Sequence, residues 1–145
     1  MEEGKMKRID LLRICEGGRN VQIRSGSDVA NLLQTMKGLE VEVFVAVHLD
    51  GKNRVKKKNL VSLGSLNSSI VHPREVFCEA VRERAAALIV AHNHPSGDQE
   101  PSQEDLEVTL RLVEAGKLLG IPILDHVIIG ESYFSFLEHG LLTTS

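Results

Sequence analysis

The residues best suited to chemistry lie in one stretch, His92-Asn93-His94-Pro95-Ser96-Gly97-Asp98-Gln99-Glu100-Pro101-Ser102-Gln103-Glu104-Asp105. His92 and His94 are two apart at the end of an apolar run, and a period of two turns both imidazoles to one side of a strand. Two neutral imidazoles are good zinc ligands, and a catalytic zinc takes three protein ligands with one position open to water. Asp105 fits as the third ligand. It lies one turn into a helix that Ser102 caps, so Ser102 and Asp105 share a face at i, i+3. Two imidazoles and one carboxylate leave a Zn²⁺ site with a net charge near +1, which suits a water whose pKa must fall from 15.7 toward about 7. Asp98 and Glu104 are nearby carboxylates that compete with Asp105. They rank lower because Asp98 sits in the loop and Glu104 faces away from Ser102.

Hydrolysis also needs a group that takes the water's proton and hands it to the leaving amine. Glu42 is the candidate: it is the polar start of an otherwise apolar strand in the same sheet. Glu40, two residues back, could share its face. The Ser102 hydroxyl could hydrogen-bond a developing oxyanion, a role compatible with capping the helix.

The elements that must position these residues are legible along the chain. Ser27-Asp28 opens a predicted helix to Met36-Lys37, with Val29, Leu32, Leu33 and Met36 on one face and Gly38 after it. Glu42 to Leu49 reads as a strand, Asp50-Gly51-Lys52-Asn53 as a turn, and Arg54 to Leu63 as the returning arm of a hairpin. Gly64 to Ser69 is loop-like. Pro73 at a first helical position starts a helix to about Arg84, with Val76, Phe77, Ala80 and Val81 as its buried side. Ala86 to Ala91 is wholly apolar and of strand length, as expected of a central strand covered on both faces. The helix capped by Ser102 runs to about Leu119 with Leu106, Leu110 and Val113 as its stripe, then Gly120 and Pro122 close it. Ile123 to Ile129 is a further strand, and Tyr133 to Leu137 a last strand or hairpin arm. Met1 to Arg8 reads as frayed, and Ile9 to Cys15 as either a short helix or an extended lead-in. Strands alternate with helices while the first pair is antiparallel, which predicts an α/β protein with a mixed β-sheet and helices on both faces.

Bulk properties bound the answer. The chain has 145 residues, the length of about one domain, and is 42% hydrophobic with no Trp, one Tyr and four Phe, so its core is aliphatic. The net charge of −3 gives no general drive toward nucleic acid or anionic membrane. Cys15 and Cys78 form no disulfide framework and no metal pair, as expected of free thiols in a reducing compartment. No run reaches the ~18 apolar residues of a membrane span, and Met1 to Asp10 lacks a signal-peptide core. A cytoplasmic protein is expected.

The pattern Glu42 … His92-x-His94-x₇-Ser102-x₂-Asp105 resembles the JAMM motif of the JAB/MPN metallopeptidases. Three segments are similar to the RadC family in particular: Leu66 to Phe77 (LNSSIVHPREVF), Ala91 to Asp98 (AHNHPSGD) and Leu124 to Ile128 (LDHVI). The resemblance covers residues 25–141. It implies a cytidine-deaminase-like α/β/α sandwich and a zinc-activated water attacking a peptide or isopeptide carbonyl. Carried onto this chain, it implies that His92, His94 and Asp105 bind one zinc, that Glu42 is the acid/base and that Ser102 supports the tetrahedral intermediate. RadC proteins often carry an N-terminal helix-hairpin-helix region, and nothing before Ser25 is long enough to be one. The expectation is a lead-in over residues 1–24 and a free-standing JAMM domain over 25–145, which weakens a DNA-repair reading taken from the family.

Other features have plainer readings beside the sharper ones. His72 before Pro73 is a helix cap. Asp125-His126 is either a hydrogen-bonded pair within a strand or a partner that orients a metal ligand. His48 and His139 have no partner pattern and receive no role. Arg54 and Lys56-Lys57-Lys58 read as a solvated strand edge that discourages edge-to-edge pairing, with binding of an acidic or nucleic-acid partner as the alternative. No aromatics are interleaved there for base stacking. The second function class, which the RadC resemblance implies, is a nucleic-acid-associated factor whose metal site is structural or vestigial. A third, a zinc nucleoside deaminase, lacks its H-x-E and P-C-x-x-C ligands. The expected partner is a protein or peptide substrate, which an edge strand near Val55 to Leu63 could pair with. The sequence leaves oligomeric state open.

Overall fold

A computed structural model gives the fold and describes residues 13–64 and 71–142. The expectations for Met1 to Arg8 and for most of the Gly64 to Ser69 loop fall outside these residues, as does the RadC-like stretch Leu66 to Ile70. Of the segment left open between helix and extended chain, residues 13–15 are helical.

Five strands form one mixed sheet: β1 (Val43–Leu49), β2 (Val55–Leu63), β3 (Ala87–Asn93), β4 (Ile123–Ile129) and β5 (Tyr133–Ser135), in spatial order β2-β1-β3-β4-β5. Only β3 and β4 are parallel; the other neighbours are antiparallel. The hairpin between β1 and β2 turns where predicted. Asp50 Oδ1 accepts the backbone N–H of Lys52 at 2.8 Å and of Arg54 at 2.9 Å, and Asn53 takes a left-handed φ of 59°. These bonds answer the backbone donors that a tight turn exposes.

Period-two alternation splits the strands between two cores. Phe44, Ala46, Leu88, Val90 and Ile128 face one side, where helices α2 (Pro73–Arg82) and α3 (Gln103–Leu119) cover them with Val76, Phe77, Ala80, Val108 and Leu112. Val43, Val45, Val47, Ile89 and Val127 face the other, where helix α1 (Gly26–Leu32) and the 3₁₀ turn after it bring Val29, Leu33 and Met36. The result is the mixed sheet with helices on both faces that the strand–helix alternation predicts, the α/β/α layering that the resemblance implies. Each fully buried Leu, Phe or Val contributes about 1.5–3 kcal/mol relative to an exposed one.

Three local expectations shift. The cap of α1 is Ser25, whose Oγ accepts from the Asp28 N–H, rather than Ser27, and the helix ends at Leu32. Leu33 then breaks register into the 3₁₀ turn Gln34–Met36, which still buries Met36. Val81 is 55% exposed, because α2 contributes only three positions to the core. Leu110 is 62% exposed, and the buried stripe of α3 is instead Asp105, Val108, Thr109, Leu112 and Gly116. Asp105 thus sits on the face that meets the sheet, and packing of the apolar stripe carries its carboxylate inward.

The basic cluster is not one surface. Lys56 Nζ donates to the Glu83 carbonyl at the end of α2 at 2.7 Å, and Lys57 pairs with Glu79 and Glu83. Lys58 is buried and its Nζ donates to the Glu16 carbonyl. The first residue of β2 is also covered: Asn20 N–H donates to the Val55 carbonyl, and Val55 N–H to Val21. Among the described residues no helix is long and apolar enough to cross a membrane. Cys15 is half-buried and Cys78 exposed, both as free thiols.

Candidate metal centre

The strand order decides what can meet. β3 ends at Asn93, and the loop that leaves it leads directly into α3. β1 runs antiparallel to β3 with Phe44 opposite His92. The residues just before β1 therefore lie beside the end of β3, where Asn93 Oδ1 accepts the Val43 N–H. One open pocket of about 590 Å³ is lined by Glu42, His94, Pro95, Ser96, Ser102, Glu104 and Asp105.

The three predicted ligands converge. His92 Nε2 is 3.0 Å from His94 Nε2 and 3.1 Å from Asp105 Oδ1, and His94 Nε2 is 3.2 Å from Asp105 Oδ2. These three residues are the group among the described residues whose His, Cys and carboxylate atoms could hold a metal ion. A tetrahedral zinc with bonds of about 2.0–2.1 Å separates its donors by about 3.3–3.4 Å, so this triangle fits a small cation with little movement. His92 and Asp105 are buried, whereas His94 is partly open toward the pocket, leaving one side of the triangle accessible.

Each ligand is held from behind. His94 Nδ1 lies 2.7 Å from the Asp98 carbonyl. A carbonyl only accepts, so Nδ1 carries the proton and Nε2 presents a lone pair. Asp98 therefore serves through its backbone; its carboxylate accepts the Glu100 N–H instead. Ser102 and Asp105 form a capping box. The Ser102 N–H donates to Asp105 Oδ2 at 2.8 Å, and the Asp105 N–H donates to Ser102 Oγ at 3.1 Å. The Asp105 carboxyl is raised by burial, but the close approach of His92 and His94 outweighs this and holds it well below the usual carboxylate range. The same Asp105 contact, against burial, raises His94 above its ordinary value. Both directions have one sense: the point where the three groups meet favours positive charge.

The loop from His94 to Pro101 is pinned to the sheet. His94 N–H donates to the Ile129 carbonyl at 2.9 Å, and Glu131 N–H to the Gly97 carbonyl at 2.7 Å. A Cβ at Gly130 would collide with the Gly97 carbonyl, so only glycine permits this approach.

Sequence reasoning assigns no role to two contributors, Asn93 and Thr109, and leaves the role of a third, His126, open. Asn93, between the two histidines, is buried. Its Oδ1 accepts the Val43 N–H at 2.7 Å and its Nδ2 donates to the Val41 carbonyl at 2.9 Å. Thr109 is one turn beyond Asp105, a spacing that could have flagged it. Its Oγ1 donates to the Asp105 carbonyl at 2.7 Å and lies 2.5 Å from His126 Nδ1. His126, fully buried, places its Nε2 2.8 Å from His92 Nδ1. Asp125 and His126 turn to opposite sides of β4. Asp125 accepts the His126 backbone N–H, but its side chain also accepts from Ser135 Oγ and Leu137 N on the opposite sheet face. Only His126 reaches the metal centre. Glu40 is exposed and does not line the pocket. His72 is the N-cap residue of α2, with no side-chain capping bond.

Comparison with known proteins adds an independent finding. A family profile described as a RadC-like JAB domain matches residues 23–141. The chain is 66% identical over 102 residues to a UPF0758 protein of Trichlorobacter lovleyi, covering 70% of this chain and 44% of that one. It is 51% identical to a UPF0758 protein of Bacillus licheniformis, over 96% of this chain and 67% of the relative. A UPF0758 protein of Pelobacter propionicus is 61% identical over 70% of this chain and 44% of its own length. The chain thus spans less than half the length of two of these relatives.

Proposed function

The chain belongs to the RadC-like JAB domain family, and from that premise we propose that it is a zinc-dependent hydrolase of peptide or isopeptide bonds. The observation that carries this reading is the triangle of His92 Nε2, His94 Nε2 and an Asp105 oxygen, with 3.0–3.2 Å sides, opening on a pocket that Glu42 also lines. Zinc suits a donor set of two imidazoles and one carboxylate, which leaves a position for water.

When bound, zinc supplies Lewis acidity that brings a water's pKa from 15.7 down to about 7. The chain's own residues do the rest. His92, His94 and Asp105 hold the ion. The Glu42 carboxylate, on the pocket wall near His94, accepts the proton released by the attacking water and returns it to the leaving amine, which departs neutral. Ser102 Oγ accepts from the Asp105 N–H, so its own hydrogen remains available to a carbonyl oxygen that becomes negative as the nucleophile adds.

The sign of the local charge favours a peptide over a phosphodiester. Glu42, Glu104 and Asp105 line the pocket, and among the described residues no lysine or arginine does. The basic residues of β2 are tied to α2 and to Glu16. This argues against a nucleic-acid partner at this site, the runner-up reading from the RadC resemblance.

The test is a peptide-library digestion with the zinc-loaded chain, Glu42→Gln as the control. Cleavage by the parent chain and none by the variant, with zinc content equal in both, supports the reading. Cleavage by both at equal rates, or a parent chain that takes up no zinc, would overturn it.

A further inference from the structure

The imidazole of His92 has two nitrogens, and only one arrangement of its proton lets it bind a cation. The chain of contacts behind it runs Asp105 carbonyl, Thr109 Oγ1, His126 Nδ1, His126 Nε2, His92 Nδ1, at 2.7, 2.5 and 2.8 Å across its three gaps. Every member is buried. Its proton order follows from one end. The Asp105 carbonyl has no proton to give, so the single hydrogen of the Thr109 hydroxyl points to it. The reverse orientation would set two oxygen lone pairs 2.7 Å apart. Thr109 Oγ1 must then accept from His126 Nδ1–H. His126 has one ring proton when neutral, so its Nε2 is a lone pair and accepts from His92 Nδ1–H. His92 is left with an unprotonated Nε2, the atom that faces His94 and Asp105.

We propose that Thr109 and His126 are positioning residues that fix the tautomer of His92, so that its Nε2 lone pair is always presented to the metal. The relay closes on itself. It begins on the backbone of one ligand, Asp105, and ends on the ring of another, His92, so helix α3 and strands β3 and β4 are brought to one proton arrangement. Ring packing holds the orientation as well: His126 stacks on Phe136 at 4.7 Å between centroids, and Phe44 stacks on His92 at 6.0 Å. Groups behind a metal-bound histidine that fix its tautomer typically matter 10–100-fold in metal affinity. Phe136 and Phe44 cannot supply a proton acceptor, so the tautomer rests on Thr109 alone.

This inference rests on the zinc site proposed above, and its test separates the two. The metal-free full chain, labelled with ¹⁵N, is read by long-range proton–nitrogen correlation for the tautomers of His92 and His126. Zinc affinity is measured by competition with a chromophoric chelator for the parent chain, Thr109→Val and Thr109→Ser. The expected result is Nδ1–H on both rings in the metal-free chain, zinc affinity lowered 10–100-fold in Thr109→Val, and near-parent affinity in Thr109→Ser, which keeps the hydroxyl. An Nε2–H tautomer on His92 overturns the proposal, and so does a folded Thr109→Val that binds zinc as tightly as the parent. If Thr109→Val does not fold, the tautomers of the parent chain decide alone. A parent chain with the expected tautomers that binds no zinc defeats the metal reading and leaves the relay standing.

Discussion

Asn93 clamps the backbone on both sides of Glu42: its carboxamide accepts from Val43 N–H and donates to the Val41 carbonyl, at 2.7 and 2.9 Å. The residue between His92 and His94 therefore also sets where the Glu42 segment runs. Removing it strands the buried Val43 N–H, at about 1–3 kcal/mol, and the part-buried Val41 carbonyl as well. Asn93→Ala is expected to lower Tm clearly and, at temperatures where it stays folded, to hydrolyse slowly while still binding one zinc. Calorimetry with metal analysis checks this. Full peptide hydrolysis by a folded Asn93→Ala would show that the clamp does not position Glu42.

Metal binding and folding should be linked. An ion held only by the folded chain stabilises it by about 2.7 kcal/mol at one hundred times its dissociation constant. Zinc is expected to raise the Tm of the parent chain, and a chelator to lower it again. His92→Ala and Asp105→Asn should abolish this shift. Thermal scans with and without zinc measure it, and a zinc-dependent shift that survives in both variants would place the ion elsewhere.

Glu42 and Ser102 should separate by readout. Glu42→Gln should leave zinc stoichiometry at one and reduce hydrolysis by about 10²–10⁴-fold, the range for loss of a general acid–base. Ser102→Ala should also cost about 1 kcal/mol of stability, because the capping bond to the Asp105 N–H is lost. Denaturant titration of both variants tests this. A Ser102→Ala chain as stable as its parent would contradict the capping role.

His48 predicts a pH dependence of stability away from the metal. It is fully buried in β1 and neither ring nitrogen has a hydrogen-bond partner. Burial lowers its pKa below the ordinary 6.5; Lys57 and Lys56 of β2 push in the same direction, and Glu83 and Glu79 of α2 oppose them. A group with a depressed folded pKa gives stability that is complete above its unfolded value and is lost as pH falls through the folded one. His48→Leu is expected to be at least as stable as the parent at pH 8 and to gain on it steadily below about pH 6.5. Unfolding curves at several pH values check this, and parallel Tm profiles would refute it. His126 shifts the same way in both chains and cancels in the comparison.

Much of the fold was legible because its signals are local. The apolar run Ala86 to Ala91, which lies in β3 from Ala87 on, the Asp50 turn, Pro73 at the start of α2, Ser102 with Asp105 in the next turn, and Gly120 at φ 72° each determine their element through side chains a few residues apart. The misplaced features were those decided by packing. Leu110 looked like core from spacing alone, but the sheet met the neighbouring stripe that begins at Asp105. Ser25 and Ser27 cap equally well by type, and backbone geometry chose Ser25.

The amino-acid order alone determined the ligand types and their local frames: two imidazoles on one side of a strand end, and a carboxylate locked to its own helix cap. It could not say that β1 runs antiparallel beside β3, which is what brings Glu42 into the pocket across about 50 intervening residues. Nor could it select His126, 34 residues from His92, as the group behind that ring. Those contacts exist only after strands distant in sequence pair in one register and bury their shared face. Hydrogen bonds between such residues carry no periodicity that a linear chain could display.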